Sequence, residues 1–130
     1  MKLLLDTHTF IWFVYNSPEL PQPTKELLED ESTVLLISTA SAWEMAIKAS
    51  KGKLTLMARA DQFVANQLLK DDIKLLPITL PHVGQVEQLP FHHKDPFDRL
   101  LIAQTMVEHI DIVSIDPVFD QYGIRRIWLK

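Results

Sequence analysis

The 130-residue sequence predicts an α/β domain built on a mostly parallel sheet of four or five strands, and three observations carry that prediction. Short apolar runs recur at residues 2–5, 34–37, 73–76 and 112–115, with a last strand-like run at 125–129. Between them lie segments with helical periodicity and their own start and stop signals. The runs are continuously apolar rather than alternating, as in strands buried on both faces of a parallel sheet. Helices alternating with such strands are the pattern of that fold class. The length suits one domain, residues 1–130, and no repeat, linker or low-complexity segment interrupts it.

In order, Leu3-Leu4-Leu5 stops abruptly at Asp6-Thr7-His8, and a very apolar helix follows at 10–15. Three prolines between residues 16 and 23 break it, and 24–31 reads as a short helix starting near Gln22 or Thr24. After the second strand, Ser38-Thr39 caps a helix over 40–51, which Gly52 closes as a left-handed C-cap. On that helix Trp43, Ala46, Ile47 and Ser50 share one face, and Glu44, Lys48 and Lys51 another. Residues 58–70 form a further helix with Phe63, Val64, Gln67 and Leu68 inward, and Pro77 stops the third strand. A short helix over 80–88 and a loop over 89–93 lead into Asp95-Pro96-Phe97-Asp98-Arg99. Pro96 suits a first helical position, because its missing N–H has no intrahelical partner there. Asp95 is the N-cap, and Asp98 falls three residues later at the positive end of the helix dipole. Beyond Asp98 this helix is apolar almost all round, so it is expected to be buried against the sheet. Asp116-Pro117 ends the fourth strand and opens a short helical turn.

Composition narrows the function classes. With 47% apolar and 23% charged residues the chain is an ordinary globular one. No apolar run approaches the roughly 18 residues of a membrane span, so no membrane role is expected. The first residues turn acidic too soon for a signal peptide. The absence of cysteine excludes disulfides and thiolate zinc sites and fits a cytoplasmic protein. A net charge of −4 gives no bulk sign of nucleic-acid binding, yet acids offset by a bound cation remain compatible with it.

The acids are where the chemistry lies. Asp6 and Asp116 both end strands, and in open parallel sheets the strand C-termini line one ligand-binding edge. Asp98 reaches that edge if its helix packs beside the first strand, and Glu44 lies on the polar face of the helix after the second. Four carboxylates from four elements can therefore converge, although each also has an alternative as a helix cap. Carboxylates crowded in a poorly hydrated crevice need a cation to stay ionised. An all-oxygen set favours Mg²⁺ or Mn²⁺. Such ions hold phosphate oxygens, activate water and stabilise the leaving oxygen of a phosphodiester. Thr7 and Ser114, beside the strand-end acids, are candidates to orient a carboxylate or touch substrate.

Asp6-Thr7-His8 after the first strand, Ser41-Ala42-Trp43-Glu44-Met45-Ala46-Ile47-Lys48 and Asp95-Pro96-Phe97-Asp98-Arg99-Leu100-Leu101-Ile102-Ala103-Gln104 together resemble PIN-domain proteins. They are most similar to the ribonuclease toxins of VapBC-type toxin–antitoxin pairs, and Ser114-Ile115-Asp116-Pro117-Val118-Phe119 extends the likeness over nearly the whole chain. The resemblance implies a three-layer α/β/α sandwich and a Mg²⁺- or Mn²⁺-dependent endoribonuclease. It implies catalytic and metal-binding roles for Asp6, Glu44, Asp98 and Asp116, with Asp98 rather than Asp95 as the motif acid. It further implies a cognate antitoxin, a tRNA or rRNA substrate, and a homodimer that can enter a larger toxin–antitoxin assembly. Thr105 departs from the pattern, where a small apolar residue is usual, and is expected to affect packing only.

Side features have plainer readings. Arg99 and Lys48 are candidates for RNA phosphate contacts, Arg99 alternatively for an ion pair with Asp98. Lys51, Lys53 and Lys94 can border the site or simply face solvent. Imidazole does not suit a hard Mg²⁺ site, so His92 and His93 are expected to hydrogen-bond within their loop and His8 to act locally. Phe10, Trp12, Phe13 and Trp43 read mainly as core, with some aromatic surface left exposed for a partner such as the antitoxin or a second copy. Two rivals stand against the nuclease: a catalytically silent RNA- or protein-binding module of the same fold, and a phospho-receiver domain. The receiver wants an acid pair after its first strand and a lysine after its last, where this chain has Asp6 alone and Arg125-Arg126.

Overall fold

In a computed structural model that describes residues 1–70 and 72–130, the chain forms a five-stranded, wholly parallel sheet with helices on both faces. The elements are β1 (Lys2–Leu5), α1 (Thr7–Val14), α2 (Gln22–Glu29), β2 (Val34–Ser38), α3 (Thr39–Ser50), α4 (Ala60–Lys70), β3 (Lys74–Leu76), α5 (Leu80–Gln88), α6 (Pro96–Glu108), β4 (Asp111–Val113), a 3₁₀ helix (Pro117–Tyr122) and β5 (Arg126–Ile127). This is the expected three-layer sandwich. No helix among the described residues is long and apolar enough to cross a membrane.

The strand order is β3-β2-β1-β4-β5. The chain moves outward from β1 to β3, then returns to add β4 on the other side of β1, in register from Leu3–Asp111 to Leu5–Val113. The connections after β1 and β4 therefore diverge, opening a crevice beyond the carboxyl ends of those two strands. Both layers of core are written into β1. Leu3 and Leu5 pack with Phe10, Ile37, Met45, Phe63 and Val113, whereas Leu4 packs with Leu101, Ile102, Ile112 and Phe119 on the opposite face. All three leucines are fully buried, which explains their continuous apolar run.

Element boundaries follow local chemistry. The first helix begins at Thr7 rather than Phe10, because Asp6 caps it by accepting from Thr9 N at 2.8 Å. The second begins at Gln22 with Pro21 before it and Pro23 in its first turn. Ser38 caps α3, accepting from Ala40 N at 3.0 Å, and Gly52 takes the expected left-handed φ of +70°. Asp95 caps α6 as expected, accepting from Phe97 N at 2.9 Å and Asp98 N at 3.0 Å. Leu101, Ile102, Ala103, Gln104 and Thr105 of α6 are all buried. Thr105 spends its hydroxyl on Leu101 O at 2.7 Å, so its departure from the family pattern is absorbed within the helix.

Candidate active site

The crevice at the β1/β4 switch point collects the acids. Asp6 follows β1 directly, and its backbone N–H bonds Val113 O of β4 at 3.2 Å. Its carboxylate is buried; burial pushes its pKa up, and hydrogen bonds from the Ser114 hydroxyl and the Thr9 N–H oppose that rise. Asp116 begins the 3₁₀ helix, with Oδ1 accepting from Val118 N at 3.0 Å and its own N–H donating to Ser114 Oγ at 3.0 Å. Both acids thus serve as helix caps at the mouth of the crevice.

Glu44 is buried on α3, although its sequence places it on the polar face. It turns inward because each oxygen has a partner: Thr7 Oγ1 lies 2.6 Å from Oε1, and Lys48 Nζ lies 2.6 Å from Oε2. Thr7 Oγ1 also lies 2.9 Å from Ser41 Oγ. A hydroxyl has one proton and a carboxylate only accepts, so Thr7 donates to Glu44 and accepts from Ser41. The Glu44 carboxylate beside it raises the Lys48 pKa.

Asp98 stands at the centre. Its pKa is pushed up to about 8, first by burial and then by the charges of Asp95, Asp6, Glu44 and Asp116. The nearest basic group is an imidazole, and Lys48, bonded to Glu44, feels the Asp98 charge from farther off. His93 Nε2 lies 2.9 Å from Asp98 Oδ2 and 3.5 Å from Asp116 Oδ2. Neither oxygen lies along its N–H direction, and this buried nitrogen makes no hydrogen bond. One donor atom each from His93, Asp98 and Asp116 lies within 4.8 Å of the other two, the one such group among the described residues. Asp6 and Glu44 stand outside that tight group but close enough for their charges to be felt at Asp98.

Several expected roles change. Arg99 meets neither the acids nor solvent: it is only 7% exposed and lies beyond the end of α5. Nη1 donates to Pro90 O at 2.8 Å and His93 O at 3.4 Å, and Nη2 to Val86 O and Leu89 O at 3.3 Å each. The guanidinium also sits 4.3 Å from the Phe91 ring centroid. Its charge is compensated by the carbonyl-rich, negative end of α5, so it clamps the loop before α6 instead of binding phosphate or pairing with Asp98. Thr7 and Ser114 take the carboxylate-orienting role expected of them, Thr7 at Glu44 and Ser114 at Asp6. Lys48 is committed to Glu44, although its side chain is 40% exposed and its ammonium stays accessible at the rim.

His93 is the residue the sequence reading missed. It does hydrogen-bond within its loop, accepting from Asp95 N at Nδ1 (3.2 Å) and donating its backbone N–H to the Tyr122 hydroxyl (2.7 Å). Those two bonds also aim Nε2 at the acids. Its place two residues before the cap of the acid-bearing helix was the available signal. The aromatic residues divide: Phe10 is core, edge-on to Phe63 at 5.9 Å, whereas Trp43 is exposed.

The donor set fits a divalent cation. Asp98, its pKa pushed up to about 8 by burial and by four neighbouring acids, would be favoured in its ionised form by added positive charge. Fold and site together define a doubly wound α/β domain with an acidic, cation-seeking crevice at its switch point. The PIN domain family model matches residues 3–124, and the chain belongs to that family. Nucleases that use divalent metal ions are general in it. Solved structures share the fold. A chain of VapBC2 from Rickettsia felis, bound to a promoter DNA fragment, superposes with a TM-score of 0.73 at 13% identity, covering 100% of both chains. DNA-bound VapBC from Salmonella typhimurium gives 0.68 at 18% identity over 98% of this chain and 97% of the other. FitAcB from Neisseria gonorrhoeae gives 0.62 at 16% identity over 96% of each. No curated protein sequence matches the chain.

Proposed function

We propose that this protein is a Mg²⁺- or Mn²⁺-dependent endoribonuclease, the toxin of a type II toxin–antitoxin pair acting in the cytoplasm on tRNA or rRNA. The observation that carries the reading is the approach of His93, Asp98 and Asp116 to within 4.8 Å of one another, with Asp6 and Glu44 near enough for their charges to be felt at Asp98. Asp6, Asp98 and Asp116 would hold the ion, with Glu44 completing the site. The ion supplies charge for the phosphodiester oxygens and a water activated for in-line attack. The protein's own part is orientation. Ser114 and the Thr9 N–H hold Asp6, Thr7 and Lys48 hold Glu44, and the Val118 N–H holds Asp116. The toxin assignment draws on structural neighbours described as VapBC pairs, and a cognate antitoxin and a homodimer belong to the same reading.

The test uses partner-free protein and a mixed tRNA and rRNA pool with Mg²⁺, Mn²⁺ or EDTA, and Asp6→Asn with Mn²⁺. Asparagine also caps helices, so the variant should fold. Discrete fragments bearing 5′-phosphate and 3′-hydroxyl ends, lost in EDTA and in the variant, are expected. Fragments ending in 2′,3′-cyclic phosphate would refute the hydrolytic route. Cation binding that Asp6→Asn leaves unchanged, without cleavage, would favour a silent binding module.

A further inference from the structure

The acid ring has an aromatic border. Trp43 immediately precedes Glu44 on α3, and Phe97 immediately precedes Asp98 on α6. The packing of α3 on α6 that lets Asp98 feel Glu44 also joins these two rings, with centroids 5.1 Å apart and planes at 83°. The edge-to-face contact engages at most one face of the indole. Trp43 remains 58% exposed, although a ring of that size is normally among the most buried in a protein. It is therefore a rigid aromatic surface, braced from one side and open on the other, one residue from a site acid.

Charge at this rim does little to tell unpaired RNA from duplex. The chain carries a net charge of −4, and the crevice itself is acidic. Lys48 is shared with Glu44, and Arg99 is buried elsewhere. Lys51, Lys53 and Lys94 are exposed and can pair with phosphates, but phosphate pairing with counterion release serves both strand states. Base stacking on an aromatic ring needs no charge and tolerates any base, but it requires an unpaired nucleotide.

We propose that Trp43, braced by Phe97, is a stacking platform for one unpaired base of single-stranded RNA beside the phosphate held at the acids. Trp43 is thus a positioning residue that selects single-stranded over duplex substrate. The inference rests on the nuclease reading above, and the two can fail separately.

The experiment measures binding of a fluorescein-labelled, mixed-sequence 12-nucleotide RNA to the full-length chain, with its duplex form as control. Cleavage of the same RNA is followed with Mn²⁺. Trp43→Phe keeps a π-face, whereas Trp43→Leu keeps apolar bulk without one. Stacking predicts that Phe stays within about threefold of wild type, while Leu raises Kd and KM for the single strand about tenfold with kcat little changed. Duplex binding should be weaker and insensitive to both substitutions. Sedimentation velocity and thermal melting on each variant check assembly and folding, which the exposure of Trp43 should leave intact. Equal single-strand affinity for Leu and wild type would overturn the platform while leaving the nuclease standing. A Leu variant altered in oligomeric state but not in RNA affinity would overturn it in favour of a subunit contact. Absence of metal-dependent cleavage by wild type would instead sink the nuclease reading.

Discussion

The two flanks of the crevice treat the same chemical group in opposite ways. On the α3 flank, Glu44 is buried with both oxygens engaged, one by the Thr7 hydroxyl and one by the Lys48 ammonium. On the α6 flank, Asp98 is partly buried among other acids, and its nearest base, His93 Nε2, is misaligned for a hydrogen bond. One carboxylate has a permanent cation tethered four residues along its own helix. The other is left short of positive charge, and its pKa climbs to about 8. An added cation should therefore stabilise the second wall more than the first.

The hardest test of this contrast is Asp98→Asn. Cleavage should fall by at least about 100-fold, in the range expected when preorganised electrostatic stabilisation is lost. Metal-free stability should move the other way. A carboxyl whose folded pKa lies above its unfolded value adds stability that is complete below the unfolded pKa, near 4. That stability is lost as pH rises through the folded value, about 8. Thermal melts of metal-free wild type should therefore decline across that window, and Asp98→Asn should melt several degrees higher at pH 8 but equally at pH 4. Parallel melting curves would place the charge deficit elsewhere. Arg99→Met comes next: loss of a buried clamp on four carbonyls should cost about 2–4 kcal/mol in denaturant unfolding. Because this cation is not part of the α6 flank's charge balance, the pH dependence of the melts should be unchanged. Lys48→Met has the smallest effect, about 1 kcal/mol, since the ammonium is partly solvated. It should nevertheless make the metal-free α3 flank resemble the α6 flank, so Mn²⁺ should raise the variant's melting temperature more than it raises wild type's.

The local features of the site could be read from the chain. Asp95 before Pro96, Asp6 after three leucines and Ser38 before α3 carry their cap chemistry with them, because a cap involves only residues two or three apart. Glu44 was identifiable as a site acid through the surrounding motif, but its burial was not. Helical periodicity places it with Lys48, and only Thr7, thirty-seven residues away, turns it inward. Arg99 shows the same limit. Its neighbour Asp98 suggested a role at the acids, whereas carbonyls released at the end of α5 drew it away. His93 hydrogen-bonds within its loop as expected, but its place beside Asp98 and Asp116, like the exposure of Trp43 in particular, was decided by distant packing.

By itself, then, the sequence determined the alternation of strands and helices, the caps that start α1, α3 and α6, and which carboxylates stand at element ends. All of these depend on backbone geometry and neighbours within a turn or two. The tertiary structure alone decided that β4 returns to pair with β1, placing the ends of two distant strands side by side. It also decided how each acid's charge is met: by Lys48, by a misaligned imidazole, or by hydroxyl and N–H groups. Charge compensation falls off with distance in space and is blind to separation along the chain. The packing of β1, β4, α3 and α6 is what makes a crevice of otherwise ordinary helix-capping acids.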